Sequence, residues 1–248
     1  MAAPCPFDSC IPSFHRAEPS SDAWVRWLVN GKGDPATWMR RWLTAGHTAL
    51  DVGANEGLLS VTMAERVGGT GRVLACDPDP RCWNPWHARC SSYGWMTFLP
   101  VACGAETDDA LTFYEDVGGM GTSSRYAVLL REPASPVRLV RQCRADDLLP
   151  TADLVKIDAQ GGDDAVLCGA PRLLAQCPYW IIEVWPWGLL QAGTSTEALW
   201  RRLHEAGLTV RWAGGEGSPV TITDALAYQA RAATPDTRHE HVNWVAER

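Results

Sequence analysis

The sequence predicts a doubly wound α/β fold, in which helices cover both faces of a mostly parallel sheet. Short apolar runs, typical of buried parallel strands, alternate with stretches that have helical spacing. A turn punctuated by glycines follows the first of these runs, as expected where a strand passes into a helix. The 248 residues suffice for one large domain of this class.

The N-terminal part of the chain precedes the first predicted strand. Residues 1–20 are rich in Pro and Ser and lack periodicity, which predicts a flexible arm. Residues 21–44 show helical spacing in two segments, the first capped by Asp22. We expect a single domain over residues 21–248, with these helices as an N-terminal extension. Four tryptophans of the extension are expected either to pack in the core or to form a lid over the site: Trp24, Trp27, Trp38 and Trp42.

Strands and helices then alternate along the chain. Strands are predicted at residues 47–52, 72–76, 97–101, 153–158, 179–184, 208–212 and 242–245, the last two in the edge region of the sheet. Helices are predicted at residues 58–67, 81–92 and 163–175, and from Thr194 or Ser195 to Gly207. Between residues 105 and 144 the pattern predicts only a short hairpin at 110–114 and a mobile loop at 118–121.

Composition narrows the function classes. A net charge of −7 and dispersed basic residues argue against a nucleic-acid partner. The chain has no apolar run of about 18 residues, so we expect no membrane span. Its first residues lack the pattern of a secretory signal, which favours a cytoplasmic location. The sequence carries no signal for the oligomeric state.

The candidate cofactor site follows the first predicted strand, in Asp51-Val-Gly-Ala-Asn-Glu-Gly57. A dinucleotide requires Gly-x-Gly-x-x-Gly, whereas the spacing here is Gly-x-x-x-Gly, and the flanking carboxylates would repel a pyrophosphate. These carboxylates suit a cofactor that carries an ammonium and a sulfonium group, such as S-adenosylmethionine. Asp77 ends the next strand, where a carboxylate can accept hydrogen bonds from both ribose hydroxyls. The expected cofactor-binding residues are Asp51, Gly53, Ala54, Asn55, Gly57, Asp77, Pro78, Ala102 and Asp158.

Three blocks carry a family resemblance: residues 51–57, Cys76-Asp-Pro-Asp-Pro80, and Lys156-Ile-Asp-Ala-Gln-Gly161 with Leu167-Cys-Gly-Ala170. In this order and spacing they resemble the FkbM-type methyltransferases, over roughly residues 45–184, with a weaker similarity at 242–245. The resemblance implies the class I methyltransferase fold with a seven-stranded, Rossmann-like sheet. It also implies methylation of hydroxyl groups, often on natural products or sugars, with S-adenosylhomocysteine as the product. Gln160 departs from the family, which usually carries a glutamate there, and Asp77 stands where the family usually has a glutamate.

Candidate catalytic residues end the fourth and fifth predicted strands. Asp158 is expected to position or deprotonate the acceptor, and Glu183 either to contact the acceptor or to serve as a structural hydrogen-bond acceptor. Lys156 lies two residues before Asp158 on the same face of its strand, so an ion pair between them is expected. A divalent metal at Asp158 is not favoured, because Gln160 removes one carboxylate from the oxygen cluster.

The acceptor is expected to be an apolar or ring-bearing small molecule. Its candidate contacts are Gln160, Trp185, Trp187 and His241, because they follow or approach the strand ends where ligands bind in doubly wound sheets. Two alternatives remain open besides O-methylation. One is N-methylation of an amine, amide or carbamoyl group, and the other is a non-catalytic protein that binds the cofactor as a partner subunit.

Overall fold

Ten strands occur in the part of the chain that the computed structural model describes, residues 33–116, 123–126, 136–214 and 217–248. They are β1 Thr48–Val52, β2 Arg72–Cys76, β3 Met96–Leu99, β4 Ala102–Cys103, β5 Asp108–Tyr114, β6 Val137–Cys143, β7 Leu154–Ile157, β8 Tyr179–Val184, β9 Thr209–Trp212 and β10 Val242–Glu247. Seven of them form the main sheet, in the order β3-β2-β1-β7-β8-β10-β9.

The main sheet is parallel from β3 to β8, and β10 runs antiparallel to both of its neighbours. The prediction of a mostly parallel, seven-stranded sheet is therefore confirmed. The last two predicted strands also form, but only β9 lies at the edge. β10 lies between β8 and β9, and its residues Val242, Trp244, Val245 and Ala246 are buried.

Nine α-helices lie within the described ranges. They are α1 Pro35–Trp42, α2 Leu58–Val67, α3 Trp83–Cys90, α4 Ala145–Leu148, α5 Asp163–Cys168, α6 Pro171–Gln176, α7 Pro186–Gln191, α8 Thr196–Glu205 and α9 Ile222–Ala232. The predicted helix at 163–175 is in fact two helices, because Pro171 begins α6 after a break at Gly169 and Ala170. The sequence reading also missed α7 and α9, although the Thr221–Asp224 capping box marks the start of α9.

Helices cover both faces of the main sheet, as the doubly wound prediction requires. On one face, Leu50, Ile157 and Ile182 belong to a core cluster that also takes in residues of the α5, α6, α8 and α9 helices. On the other face, Ala49 and Leu154 belong to a cluster with residues of α1 and α2. Alternate residues of each strand point to opposite faces, which is why β1 supplies both clusters.

Helix α1 packs on the sheet and does not form a lid. Trp38 is buried and its indole Nε1 donates a hydrogen bond to the Ala213 carbonyl at 2.8 Å. Trp42 is also buried and stacks on Tyr179, the first residue of β8, with 4.7 Å between ring centroids. The lid hypothesis is thus wrong for these two tryptophans. The other two, with Asp22, the arm at 1–20 and the loop at 118–121, lie outside the described residues.

A second, three-stranded sheet replaces the predicted hairpin at 110–114. This segment belongs to the single strand β5, which pairs antiparallel with β6, and β6 pairs parallel with β4. The partner strand lies more than 20 residues further along the chain, so local turn signals could not reveal it. This small sheet supplies part of the wall of the candidate site.

No helix within the described residues is both long enough and apolar enough to cross a membrane.

Candidate functional site

The turn after β1 folds onto the end of β2. The backbone N–H groups of Gly53 and Ala54 both donate to the Cys76 carbonyl, at 2.9 and 3.0 Å. The Asn55 N–H donates to Asp77 Oδ2 at 2.8 Å, which joins the glycine turn to the carboxylate at the end of β2. The turn and Asp77, predicted separately from sequence, therefore form one structure.

Glycine is required at the first position of this turn. Gly53 has φ +74°, and a Cβ atom there would lie 1.9 Å from the backbone oxygen of Asp158. The absence of a side chain thus allows the β1 turn and the segment after β7 to touch. Asn55 has φ +47°, a conformation that asparagine tolerates better than most residues.

An open cleft lies at the carboxyl ends of β1, β2 and β7, and we refer to it as the cavity. Its wall includes six of the nine expected cofactor-binding residues: Gly53, Asn55, Asp77, Pro78, Ala102 and Asp158. The other three lie behind the wall. Asp51 is fully buried, Ala54 is buried, and Gly57 at φ +82° caps α2 next to Trp86 and Cys90.

Asp51 and Lys156 face each other across the β1–β7 ladder. Lys156 Nζ lies 3.2 Å from Asp51 Oδ1 and 3.7 Å from Asp158 Oδ2, and it donates to the Gly53 carbonyl at 2.7 Å. The expected Lys156–Asp158 ion pair therefore forms. Burial alone would lower the pKa of Lys156, but the charges of Asp51 and Asp158 outweigh burial and raise it, so the ammonium remains charged.

Gln160 connects the two predicted catalytic carboxylates. Its amide Nε2 donates to Asp158 Oδ1 at 2.7 Å and to Glu183 Oε2 at 2.9 Å. On the far side, His241 Nε2 lies 3.5 Å from Glu183 Oε1. Four residues singled out from sequence thus form one chain of contacts that leads away from the cavity wall at Asp158.

Three carboxylic acids of this region, Asp77, Glu183 and Asp163, have a raised pKa. Burial raises the pKa of Asp77 to about 6, against hydrogen bonds from the backbone of Asp79 and Asn55 that lower it. Burial, together with the charges of Asp158 and Asp163, raises the pKa of Glu183 well above its usual value. Burial also raises the pKa of Asp163, which accepts hydrogen bonds from two backbone N–H groups of the loop after β7, to about 7.

Three of the expected substrate contacts do not line the cavity. Trp185 is buried, and its Nε1 donates to the Arg238 carbonyl at 2.6 Å. Trp187 is half-buried in α7, and His241 lies just before β10. Only Gln160 of this group is on the wall. Trp185 belongs to the packing around α7, where Gly188 leaves room for its ring.

The sequence did not reveal the part of the wall that comes from the small sheet and from the segment between β5 and β6. These residues are Leu111, Phe113, Ser123, Ser124, Arg125 and Gln142. The alternation of buried Leu111 and Phe113 with Thr112 is a usable strand signal. Nothing in the local sequence indicates that Ser123–Arg125 would reach the same cavity.

Ser123 belongs to a polar network at one end of this wall. Its Oγ donates to Asp79 Oδ2 at 2.8 Å and accepts from Arg81 Nη2 at 2.7 Å, and Arg81 Nη1 donates to the Asp116 carbonyl at 2.9 Å. Asp79 follows the candidate ribose ligand Asp77 by two residues. The network therefore connects the segment around Ser123 to the residues that follow β2.

Within the described ranges, no group of three or more His, Cys, Asp or Glu side chains is arranged to hold a metal ion. The metal dependence of the reaction stays a prediction.

Comparison with known proteins agrees with this architecture. A family model described as "Methyltransferase FkbM domain" matches residues 51–208, which include the glycine turn, Asp77, Asp158 and Glu183. The chain belongs to this family. No match to the FkbM-domain chain was found among curated proteins.

Several solved structures are similar to this FkbM-domain chain. An FkbM methyltransferase from Methylobacillus flagellatus KT is 18% identical with a TM-score of 0.39, over 56% of this chain but only 32% of its own. An S-adenosylmethionine-dependent O-methyltransferase from Thermotoga maritima is 12% identical with a TM-score of 0.44, over 93% of this chain and 71% of its own. Fibrillarin from Aeropyrum pernix, solved with natively bound S-adenosylmethionine, is 12% identical with a TM-score of 0.45. The match covers 85% of this chain and 72% of the fibrillarin chain.

Proposed function

We propose that this FkbM-domain chain uses S-adenosylmethionine to methylate a hydroxyl group of a small molecule. One observation carries the proposal. The wall of a single cavity includes residues of the glycine turn, Asp77, Asp158 and Gln160. In doubly wound sheets, ligands bind at this edge, beyond the carboxyl ends of the strands.

The residues of the cavity fit such a cofactor. Asp77 uses each carboxylate oxygen once, for Asn55 and Asp79 N–H groups, and a carboxylate offers about four acceptor positions. Asp77 can therefore also accept ribose hydroxyls. Asp158 places negative charge where a sulfonium and an ammonium would be stabilised.

The chain's own residues can remove the acceptor proton. When bound, S-adenosylmethionine supplies an electrophilic methyl group, and the attacking hydroxyl must lose its proton as the new bond forms. Asp77 and Asp158 are the carboxylates of the described cavity wall. Because Asp77 is assigned to the ribose, we assign the acceptor proton to Asp158. Lys156 and Gln160 act as positioning residues, because one balances the charge of Asp158 and the other fixes its orientation. Glu183 acts through Gln160.

Several features favour a small acceptor over a macromolecule. Leu111 and Phe113 give the cavity an apolar wall that suits a ring-bearing natural product. The net charge of −7 does not suit a nucleic-acid backbone. We therefore propose a tailoring step on a natural product in the cytoplasm.

Calorimetry tests the cofactor assignment. We expect S-adenosylmethionine and S-adenosylhomocysteine to bind and NAD not to bind, and we expect Asp77→Ala to abolish binding. Asp109→Ala is the matched control, since that carboxylate is 89% exposed and lies outside the cavity. Failure of both sulfur nucleotides to bind the wild-type chain would refute the proposal. Once an acceptor is found, NMR of the product identifies whether oxygen or nitrogen carries the new methyl group.

A further inference from the structure

The segment Ser123–Tyr126 is built firmly into the cavity wall. Ser124 and Tyr114 exchange backbone hydrogen bonds of 3.0 and 2.9 Å, which attach the segment to the end of β5. Ser124 Oγ donates to the Gln160 carbonyl at 2.9 Å, which attaches it to the loop that follows Asp158. The backbone next to Arg125 is therefore attached both to β5 and to the loop after β7.

The guanidinium of Arg125 is itself held in place. Its Nη1 donates to Gln142 Oε1 at 3.1 Å, and its Cζ lies 5.4 Å from the centre of the Tyr126 ring. Gln142 is buried, and its Nε2 donates to the Glu106 carbonyl at 2.8 Å. Gly104 packs so closely that a Cβ there would lie 2.3 Å from Gln142 Oε1. Gln142 thus offers a rigid support for the guanidinium.

Arg125 has no acidic partner among the described residues. Its recorded contacts there are the neutral Gln142 and the Tyr126 ring, whereas Arg81 is paired with Asp79. An arginine has five N–H donors, and the bond to Gln142 occupies one of them. A half-buried guanidinium that is held in place, and that no carboxylate of the described residues neutralises, is suited to a planar anion, which it can bind through two parallel hydrogen bonds.

The described cavity wall carries charges of both signs. Asp77 and Asp158 are the acidic residues of its described wall, and Arg125 is the basic one. Under the proposed function, Asp77 binds the ribose of the cofactor and Asp158 takes the proton of the acceptor hydroxyl. The guanidinium, which the segment between β5 and β6 carries, then remains for another group of the acceptor.

We propose that Arg125 binds an anionic group, a carboxylate or a phosphate, on the acceptor. This inference rests on the proposed function of the same cavity. It narrows the acceptor from an apolar or ring-bearing molecule to one that also carries an acid. The rigid support from Gln142 makes Arg125 a specificity-determining residue, because an uncharged analogue would leave the guanidinium unsatisfied.

The test uses the full chain loaded with S-adenosylhomocysteine. Calorimetry and ligand-observed NMR compare 4-hydroxybenzoate with the uncharged 4-hydroxybenzamide, and inorganic phosphate serves as a competitor. We expect the acid to bind about tenfold more tightly than the amide, as for one charge-assisted contact. Arg125→Gln should abolish this preference, and Arg125→Lys should retain part of it. Arg141→Gln is the matched control, because it removes an exposed arginine of β6 outside the cavity.

The outcomes separate this inference from the proposed function. Equal binding of acid and amide by the wild-type chain, or an unchanged preference in Arg125→Gln, would overturn the role of Arg125. A loss of S-adenosylhomocysteine affinity in Arg125→Gln would overturn it as well, because the guanidinium would then bind the cofactor's own carboxylate. Failure of the wild-type chain to bind S-adenosylhomocysteine would instead refute the proposed function.

Discussion

Replacing Lys156 by methionine tests the buried charge cluster behind the candidate site. Methionine keeps most of the side-chain length but removes the ammonium, which lies 3.2 Å from the fully buried Asp51. Among the described residues, the Asp51 carboxylate would then retain the hydrogen bond from Ser60 Oγ, at 2.6 Å, as its one side-chain contact. Removing one partner of a buried ion pair typically costs about 3–5 kcal/mol, because the remaining charge is uncompensated.

A second substitution isolates the reason for this loss. We expect Lys156→Met combined with Asp51→Asn to be more stable than Lys156→Met alone, because the double variant no longer buries an unpaired charge. Asp51→Asn alone should lower the free energy of unfolding less than Lys156→Met does, because Lys156 still pairs with Asp158 and still donates to the Gly53 carbonyl. Arg201→Met is the surface control. It breaks an exposed pair with Glu197 and should cost less than about 1 kcal/mol.

Urea unfolding followed by tryptophan fluorescence measures these free energies. If Lys156→Met lowers the free energy of unfolding by less than about 1 kcal/mol, the ammonium does not stabilise Asp51 to the extent expected of a buried ion pair. A double variant as unstable as Lys156→Met would show that the cost comes from lost packing rather than from the charge of Asp51. Either result would refute the reasoning.

Three further predictions concern the cavity wall. Because burial raises the pKa of Asp77 to about 6, and the ionised form accepts ribose hydroxyls best, S-adenosylhomocysteine affinity should fall as pH falls through about 6. Calorimetry across this range should show no such dependence for Asp77→Asn. Gln160→Glu replaces an amide donor between two carboxylates by a third carboxylate. We therefore expect the variant protein to bind Mn²⁺ more tightly than the wild type, as measured by electron paramagnetic resonance titration. Equal affinities would contradict this. Gly53→Ala should lower the free energy of unfolding in urea by about 3 kcal/mol or more, because the new Cβ would collide with the Asp158 carbonyl. Gly193→Ala is the control: its φ is also positive but the space around it is open, so it should lower that free energy by about 1 kcal/mol.

Local sequence signals were sufficient for most of the main sheet. The apolar runs of β1, β2, β7 and β8 are bounded by turn residues, and a buried parallel strand needs little else to be recognised. The ends of parallel strands converge at one edge of a sheet. For this reason Asp77 and Asp158 could be predicted as neighbours, although 80 residues separate them in the sequence.

The small sheet and its wall could not be predicted in the same way. β5 and β6 are brought together by long-range antiparallel pairing, and the segment that carries Arg125 is placed by bonds to Tyr114 and Gln160. Neither contact has a local pattern in the sequence. The same limit explains why the sequence left open whether Trp38 and Trp42 pack in the core or form a lid, because an amphipathic helix shows that one face is buried but not which surface covers it.

The sequence by itself determined the fold class, the glycine turn and the carboxylates at the strand ends, because strand periodicity and turn chemistry are properties of neighbouring residues. Only the tertiary structure decided that Gln160 joins Asp158 to Glu183, and that Arg125 faces the cavity on a buried glutamine. Those arrangements depend on distances between segments far apart in the chain, which are fixed only when the two sheets and their loops pack together.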